Sequence, residues 1–336
     1  MKNHTICFFT KINDKKLLEL VQWYKNDIEF LKQTNADLSV ATSVKELKKS
    51  DLYYSWWASG SIYPLLYAKF FRKPIIVVAG GSEVVKDQKL IAGYSSKSIL
   101  GKAAVNLVIK LSDKIIAVSN ELANEVKKFG RDDVEVIYHG IDTKYYRPAN
   151  KVKDIIFSIS YLDKANVERK RLKTIINSVP YVLEKYPQQK FIIAGTQGNA
   201  YQSLTELVRD LGIENNIEFT GNISNEKKLE LFQRSLLYLQ PTIHEGFGVA
   251  IAEAMSCAVP VISSNNTAVK EVLGDTGLFC DPDDPKQLAS LTLDLLSDKK
   301  RREQLSQRAR ERVLNTFSIE ERNKKLIPLI DGFLNR

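Results

Sequence analysis

Short apolar stretches rich in Ile, Val, Phe and Tyr alternate with longer stretches of helical period along nearly the whole chain, and that rhythm admits few folds. It belongs to parallel sheets covered by helices, because each parallel pair needs a crossover and its strands are buried on both faces. In the first half, strands are expected over residues 5–9, 51–55, 74–79, 114–118 and 134–138. Asp14 is placed to cap a helix bearing Leu17, Leu18, Val21 and Trp23, and Ser119 one bearing Leu122, Val126 and Phe129. A second series follows, with strands expected over residues 155–160, 190–194, 217–220, 236–239 and 259–263. From Pro285 onward the chain reads as helix, with breaks near Ser297 and Ser318.

The two series meet at the polar stretch 139–153, which holds Gly140 and Pro148 and reads as a linker. At about 150 residues per domain, the 336 residues make two domains. The reading is α/β: an N-terminal Rossmann-like domain over 1–150, a second over 151–318, and a last helix over 319–336 long enough to pack back toward the first. Doubly wound domains bind ligands beyond the C-terminal ends of their strands, so two of them facing across a cleft would hold their ligand in that cleft. A dinucleotide dehydrogenase would share this architecture, but no Gly-x-Gly-x-x-Gly follows an early strand.

Charged residues at 26% and hydrophobic ones at 44% are those of a globular chain with a real core, which excludes the disordered and collagen-like classes. No apolar run approaches the roughly 18 residues of a membrane span, and residues 6–9 are too short for the core of a secretion signal. A cytoplasmic protein is expected. Cys7, Cys257 and Cys280 lie far apart, match neither a zinc spacing nor a disulfide framework, and read as reduced structural thiols. The three histidines, His4, His139 and His244, match no metal motif, so no metal site is expected. The net charge of +9 is uneven: residues 1–150 hold 23 Lys plus Arg against 16 Asp plus Glu. Such a basic half suits anionic lipid, phosphorylated substrate or nucleic acid, or is simply a solvated surface. No nucleic-acid-binding module is recognisable, and no nucleic-acid partner is expected.

The densest chemical signal is QPTIHEGFGVAIAEAMSCAVPVISS at 240–264. An apolar strand leads into a loop with Glu245, Gly246, Phe247 and Gly248, and then into a helix-forming stretch that begins Val249, Ala250. Glycines permit close backbone approach, and the free N–H groups opening a helix, with the positive end of its dipole, suit a diphosphate. Glu253 stands among Ile251, Ala252, Ala254 and Met255, a placement for a carboxylate that demands a partner. A carboxylate accepts two hydroxyls at once and so suits the vicinal diols of a ribose or a sugar. The plainer alternative is a helix-capping Glu245 and a solvent-facing Glu253.

This loop and helix resemble the Glu-x7-Glu region of the retaining nucleotide-sugar glycosyltransferases of family 4, whose fold is GT-B. Pro260, Val261, Ile262 and Glu271 resemble the family pattern downstream, as do GNIS at 221–224, AGTQG at 194–198, AVSNEL at 117–122 and YHGIDTKYYRP at 138–148. The resemblance implies that Glu253 holds the ribose hydroxyls. Glu245, with the amides of Gly246, Phe247 and Gly248, would hold the donor sugar, and the amides of Val249 and Ala250 would face the diphosphate. It also implies a basic pair after the first strand of the donor domain. Here the arginine position reads Ser160, Tyr161, Leu162, whereas Arg169, Lys170 and Arg171 follow in ERKRL. Lys170 is the best match, and Arg169 is a candidate replacement for the absent arginine. A cation beside the departing diphosphate stabilises charge as the glycosidic bond breaks. Read without the resemblance, ERKRL is a solvated helix start.

In the first half, Gly80, Gly81, Ser82 and Glu83 follow a strand, and the resemblance places an acceptor-facing loop there, often Gly-Gly-x-Asp, from which Glu83 departs by one carbon. His139 stands where relatives commonly have Asn and reads as lining the cleft or as structural. The expected function is transfer of a sugar from a nucleotide-diphosphate donor to an acceptor hydroxyl, with retention of configuration and without metal or added cofactor. The expected partners are that donor and a glycan or lipid-linked acceptor, with peripheral attachment to the cytoplasmic face of an anionic membrane. The alternatives are a sugar-nucleotide-binding protein without turnover and a nucleotide-sugar epimerase on the same fold.

Overall fold

A computed structural model describes residues 4–86 and 93–335. The chain divides into two compact units, one of Met1–Gly140 with Ile319–Arg336 and the other of Ile141–Ser318. Each is built on a six-stranded parallel sheet.

The first unit orders its strands β2-β1-β3-β4-β5-β6, with β1 at His4–Phe9, β2 at Ala36–Ala41, β3 at Leu52–Trp56, β4 at Ile75–Ala79, β5 at Lys114–Ala117 and β6 at Val134–Val136. The central strands β3 and β4 are buried along their whole length, which is why they read as unbroken apolar runs. Strand β2 was not expected. It lies at the sheet edge and pairs with β1 in register from His4 opposite Ala36 to Phe9 opposite Ala41, and its half-exposed ADLSVA leaves no apolar run. Ser119 caps the helix Asn120–Lys127 by accepting the Leu122 N–H at 3.2 Å, as read from sequence. Asp14 instead accepts the N–H of Lys16, and the helix expected after it breaks at Val21 into Leu17–Leu20 and Gln22–Lys32.

The last helix, Ile319–Leu334, belongs to this unit and buries Leu326, Ile330 and Phe333. Its Arg322 is buried against Asp27, with Nε donating to Oδ1 and Nη2 to Oδ2, both at 3.0 Å. Tyr54 and Trp56 of β3 donate to the same carboxylate at 2.7 and 3.0 Å, so one buried anion joins helix, sheet and C-terminal helix.

The second unit orders its strands β12-β11-β10-β7-β8-β9, with β7 at Ile155–Ile159, β8 at Lys190–Ala194, β9 at Ile217–Gly221, β10 at Ser235–Gln240, β11 at Val261–Ser264 and β12 at Leu278–Cys280. The three-residue edge strand β12 was also unexpected, since only its pairing with β11 makes it a strand. Residues 141–150, assigned from sequence to the first domain, pack in this unit. Tyr146 is buried edge-on to Phe232, and Gln233 donates to the Arg147 carbonyl at 2.9 Å. Helices Pro285–Ser297 and Lys299–Thr316 follow, with Asp284 and Asp298 as caps at the breaks. Cys7, Cys257 and Cys280 are buried free thiols.

Candidate functional site

At the C-terminal end of β10 the chain turns through Pro241–Gly248 into the helix Val249–Ser256. Gly248 sits at φ +100°, a left-handed conformation that a side chain disfavours, and it brings the helix start round sharply. The Ala252 N–H is bonded to the Gly248 carbonyl at 3.1 Å, so the N–H groups of Val249, Ala250 and Ile251 lie before the first intrahelical bond. No side chain caps this helix, which leaves its positive end open to an anion.

Glu253 is buried inside that helix, not solvent-facing, and its partner is Lys228, whose ammonium donates to both carboxylate oxygens at 2.9 and 3.0 Å. Lys228 in turn stands 5.0 Å above the centre of the Tyr146 ring. Sequence reasoning missed Lys228, although a signal was present. On the helix Asn225–Arg234, Lys228 shares a face with the buried Leu231 and Phe232, where a lysine has no reason to be unless it meets an anion.

Glu245, half-buried in the loop before the helix, is the second carboxylate. Arg169 donates to its Oε1 at 2.7 Å and to the His244 carbonyl at 2.9 Å, while Gln240 donates to the same Oε1 at 2.9 Å. Burial works against the Glu245 charge, but the Arg169 and Lys170 cations outweigh it and lower the pKa. The Arg169 carbonyl accepts from the Ile243 N–H at 2.8 Å and from Thr242 Oγ1 at 3.0 Å, so loop and basic segment are fastened together. Lys170 donates to the Ile159 carbonyl at 2.9 Å and lies 3.4 Å from Gln240 Oε1. Burial pulls its pKa down to about 8, with Glu245 opposing the fall.

The ERKRL segment is not one helix start. The helix Lys164–Lys170 ends at Arg171, which is left-handed at φ +53°, and a new helix begins at Leu172. That break separates the roles of the basic residues. Arg169 and Lys170 point to the loop, and Arg171 pairs with Glu168 and Asp283. The cluster thus sets three cations, Arg169, Lys170 and Lys228, against two carboxylates, and the surplus positive charge lies beside an uncapped helix start.

The residues singled out in the first half form a separate group within their own unit. The Gly80 N–H donates to Glu83 Oε1 at 2.9 Å, whereas Glu83 Oε2 is buried with no hydrogen-bond partner among the described residues. Burial raises the Glu83 pKa to about 7, against the pull of its own amide and those of Gly80 and Gly81. Gly81 is extended, and a Cβ there would stand 3.5 Å from the Trp57 ring and 3.6 Å from Glu83 Oε2. Ser82 opens the short turn Ser82–Val84, its carbonyl accepting from Val85 and Tyr94 at 3.0 Å each. His139 is buried and stacked on Trp56, with ring centres 5.7 Å apart. Burial and the Arg322 charge push its pKa well below the ordinary value. Among the described residues, no group of three or more His, Cys, Asp or Glu is placed to hold a metal ion.

Residues 148–312 match the family model described as glycosyl transferases group 1, and residues 22–145 match that of glycosyltransferase family 4. The chain is 29% identical over 228 residues to the N-acetyl-alpha-D-glucosaminyl L-malate synthase of Bacillus anthracis, covering 63% of this chain and 58% of the relative. It is 33% identical over 136 residues to the O-antigen chain mannosyltransferase B of Escherichia coli, covering 40% and 36%. The chain thus spans less than two thirds of the length of these curated relatives. Among solved structures, the Anabaena protein Alr3699/HepE in complex with UDP and glucose superposes with a TM-score of 0.80 at 17% identity, covering 98% of this chain and all of that one. At that identity the likeness speaks for the fold.

Proposed function

Because this chain belongs to the GT-B glycosyltransferases of the family-4-like kind, we propose that it moves a sugar from a nucleotide-diphosphate donor to an acceptor hydroxyl with retention of configuration and without a metal. The carrying observation is the pair of carboxylates, Glu253 buried and Glu245 half-buried, each held by a cation, on either side of the left-handed Gly248 and the uncapped helix start. A protein that only needed a stable loop would not gather five charged side chains there, Glu253 buried outright and the other four half-buried, since withdrawing charge from water costs free energy.

In this reading Glu253, held in place by Lys228, accepts both hydroxyls of the ribose. The N–H groups of Val249 and Ala250 receive the diphosphate, and Glu245 with the N–H groups of Gly246, Phe247 and Gly248 holds the sugar. Arg169 and Lys170 stabilise the negative charge that grows on the diphosphate as the glycosidic bond breaks, Arg169 supplying the cation that Ser160-Tyr161-Leu162 lacks. The acceptor oxygen attacks from the face the diphosphate leaves, and the leaving phosphate takes its proton, so no protein nucleophile takes part. Among relatives, the Anabaena structure holds UDP and glucose, which makes UDP-hexoses the first donors to screen. A thermal-shift panel of nucleotide sugars, followed by assay of nucleoside diphosphate release with candidate acceptors, tests the reading. Stabilisation by donor without any release favours a binding protein, and interconversion of the sugar while still attached to nucleotide favours an epimerase.

Lys170 sets a pH dependence. Its ammonium is present below about pH 8 and is lost above it, because burial has lowered the pKa from the ordinary 10.5. Donor kcat/KM is expected to fall about tenfold per pH unit above that point. Lys170→Arg should remove this alkaline limb, since a guanidinium stays charged. A profile flat from pH 7 to about 10 in the unmodified protein would contradict the assignment.

For the acceptor, we propose the space at Gly81, where a Cβ would stand 3.5 Å from the Trp57 ring and 3.6 Å from Glu83 Oε2, which has no hydrogen-bond partner among the described residues. Gly81→Ala fits the extended backbone without a clash and fills that space. Acceptor KM is expected to rise about tenfold or more while donor affinity, measured by calorimetry, stays unchanged. Equal acceptor KM in the two proteins would remove this loop from the acceptor site.

A further inference from the structure

The helices Ile62–Phe71 and Ile99–Leu111 pack against each other on one face of the first unit's sheet, as the consecutive strands β3, β4 and β5 require of right-handed crossovers. Each turns an apolar face inward, through Leu65 and Ala68 on one and Val105, Val108 and Ile109 on the other. A surface helix ordinarily presents polar residues on its opposite side. These two present more apolar ones. Phe70 is 81% exposed and Leu66 62%, while Ile99 and Leu100 are 87% and 82% exposed and Leu107 and Leu111 nearly half. Leu66 and Phe70 lie one turn apart, and Leu100, Leu107 and Leu111 recur at helical spacing, so each set forms a stripe. Six of the thirteen large apolar side chains exposed among the described residues fall on these two helices.

Neither helix contains an Asp or Glu, whereas Lys69, Lys102 and Lys110 lie on them and Arg72, Lys73 and Lys97 flank them. Lys69 and Lys73 are paired with Asp113 and Asp51, and the rest of this set adds positive charge beside the apolar stripes. The same half of the chain carries most of the net positive charge.

We infer that this two-helix face is a membrane-docking surface that seats on an anionic phospholipid bilayer, Leu66, Phe70, Ile99 and Leu100 entering the interface and Arg72, Lys97, Lys102 and Lys110 meeting the headgroups. Apolar side chains on helices that carry lysines and no acid, with Asp113 beyond the helix end taken up by Lys69, fit that boundary, where anionic headgroups gather cations above a shallow apolar layer. A second copy of the chain fits less well, because a two-fold interface here would bring the same lysines face to face with only Asp113, already paired with Lys69, to offset them. Among the described residues no helix is long and apolar enough to cross a membrane, so the attachment is peripheral. This surface lies outside the donor cluster, and the inference stands apart from the transferase reading.

The test is co-sedimentation of the whole chain with vesicles of phosphatidylcholine alone and of phosphatidylcholine with about one third phosphatidylglycerol. Binding to the anionic vesicles is expected to be about tenfold tighter or more. The double variant Phe70→Ser/Leu100→Ser should lower it about tenfold, and Lys102→Glu/Lys110→Glu should abolish the preference for anionic lipid. All four positions are at the surface, so melting temperatures should stay near that of the unmodified chain, which is checked in parallel. Leu314→Ser, an exposed apolar change in the other unit, should leave binding unaltered. Equal binding to both vesicle types, no binding to either, or a dimer in sedimentation velocity that Phe70→Ser/Leu100→Ser dissolves would each overturn the inference.

Discussion

Lys228→Met is expected to lower the stability of the Ile141–Ser318 unit by about 3–5 kcal/mol, because it strands the Glu253 carboxylate, whose side chain is 3% exposed, without its cation. In a unit of this size that corresponds to a fall in melting temperature of roughly 6–20 °C. The reverse change should cost less. With Glu253→Ala the Lys228 ammonium, on a side chain already 16% exposed, extends along its flexible stem to water. Yet Glu253→Ala should be the more damaging to function. Removing a charged acceptor of two ribose hydroxyls is expected to reduce donor kcat/KM by about a hundredfold or more. The two variants together separate holding the fold from holding the ligand. Adding Glu253→Gln to Lys228→Met should recover part of the lost stability without recovering activity. Equal melting temperatures for Lys228→Met and the unmodified chain would show that the ion pair does not carry this burial.

Arg322→Met is the second large effect, again about 3–5 kcal/mol, now in the other unit. Asp27 keeps the Tyr54 and Trp56 donors, but it loses both guanidinium hydrogen bonds in a site that water does not reach. Arg322 also donates to the carbonyls of Ile137 and Tyr138, so its removal takes away those hydrogen bonds as well. The C-terminal helix Ile319–Leu334 should then exchange its amide hydrogens faster than the sheet does, as a segment that has lost its anchor opens before the core. Asp27→Asn added to Arg322→Met should restore part of the loss. A change below about 1 kcal/mol, with unaltered exchange in that helix, would mean that the burial of Leu326, Ile330 and Phe333 alone keeps it in place.

Strands β3 and β4 were readable because burial on both faces leaves a continuous apolar run, a property of the strand itself. Strands β2 and β12 were not, because an edge strand exists through its neighbour's hydrogen bonds, and ADLSVA or a three-residue segment carries no sign of that neighbour. The break at Arg171 was equally hidden. A left-handed arginine between two helices is imposed by how those helices pack, and the uninterrupted helix-forming sequence around it suggested no such turn.

The loop before Val249 divides along the same line. Gly248, the helix that follows it and the misplaced acid at Glu253 were visible as local chemistry, and so was the demand that this acid find a partner. Which cation answered it was not visible. Lys228 lies twenty-five positions upstream on a helix of its own, Arg169 and Lys170 reach Glu245 from a third segment, and Trp57 comes beside Glu83 only because β3 and β4 are neighbours. Composition and periodicity therefore determined two parallel-sheet domains and one glycine loop that opens a helix, since hydrophobic burial and backbone geometry act through spacing along the chain. The pairing of charges was decided by the tertiary structure, because an electrostatic partner is chosen by distance in space, and that distance is set only when the sheets and helices have packed.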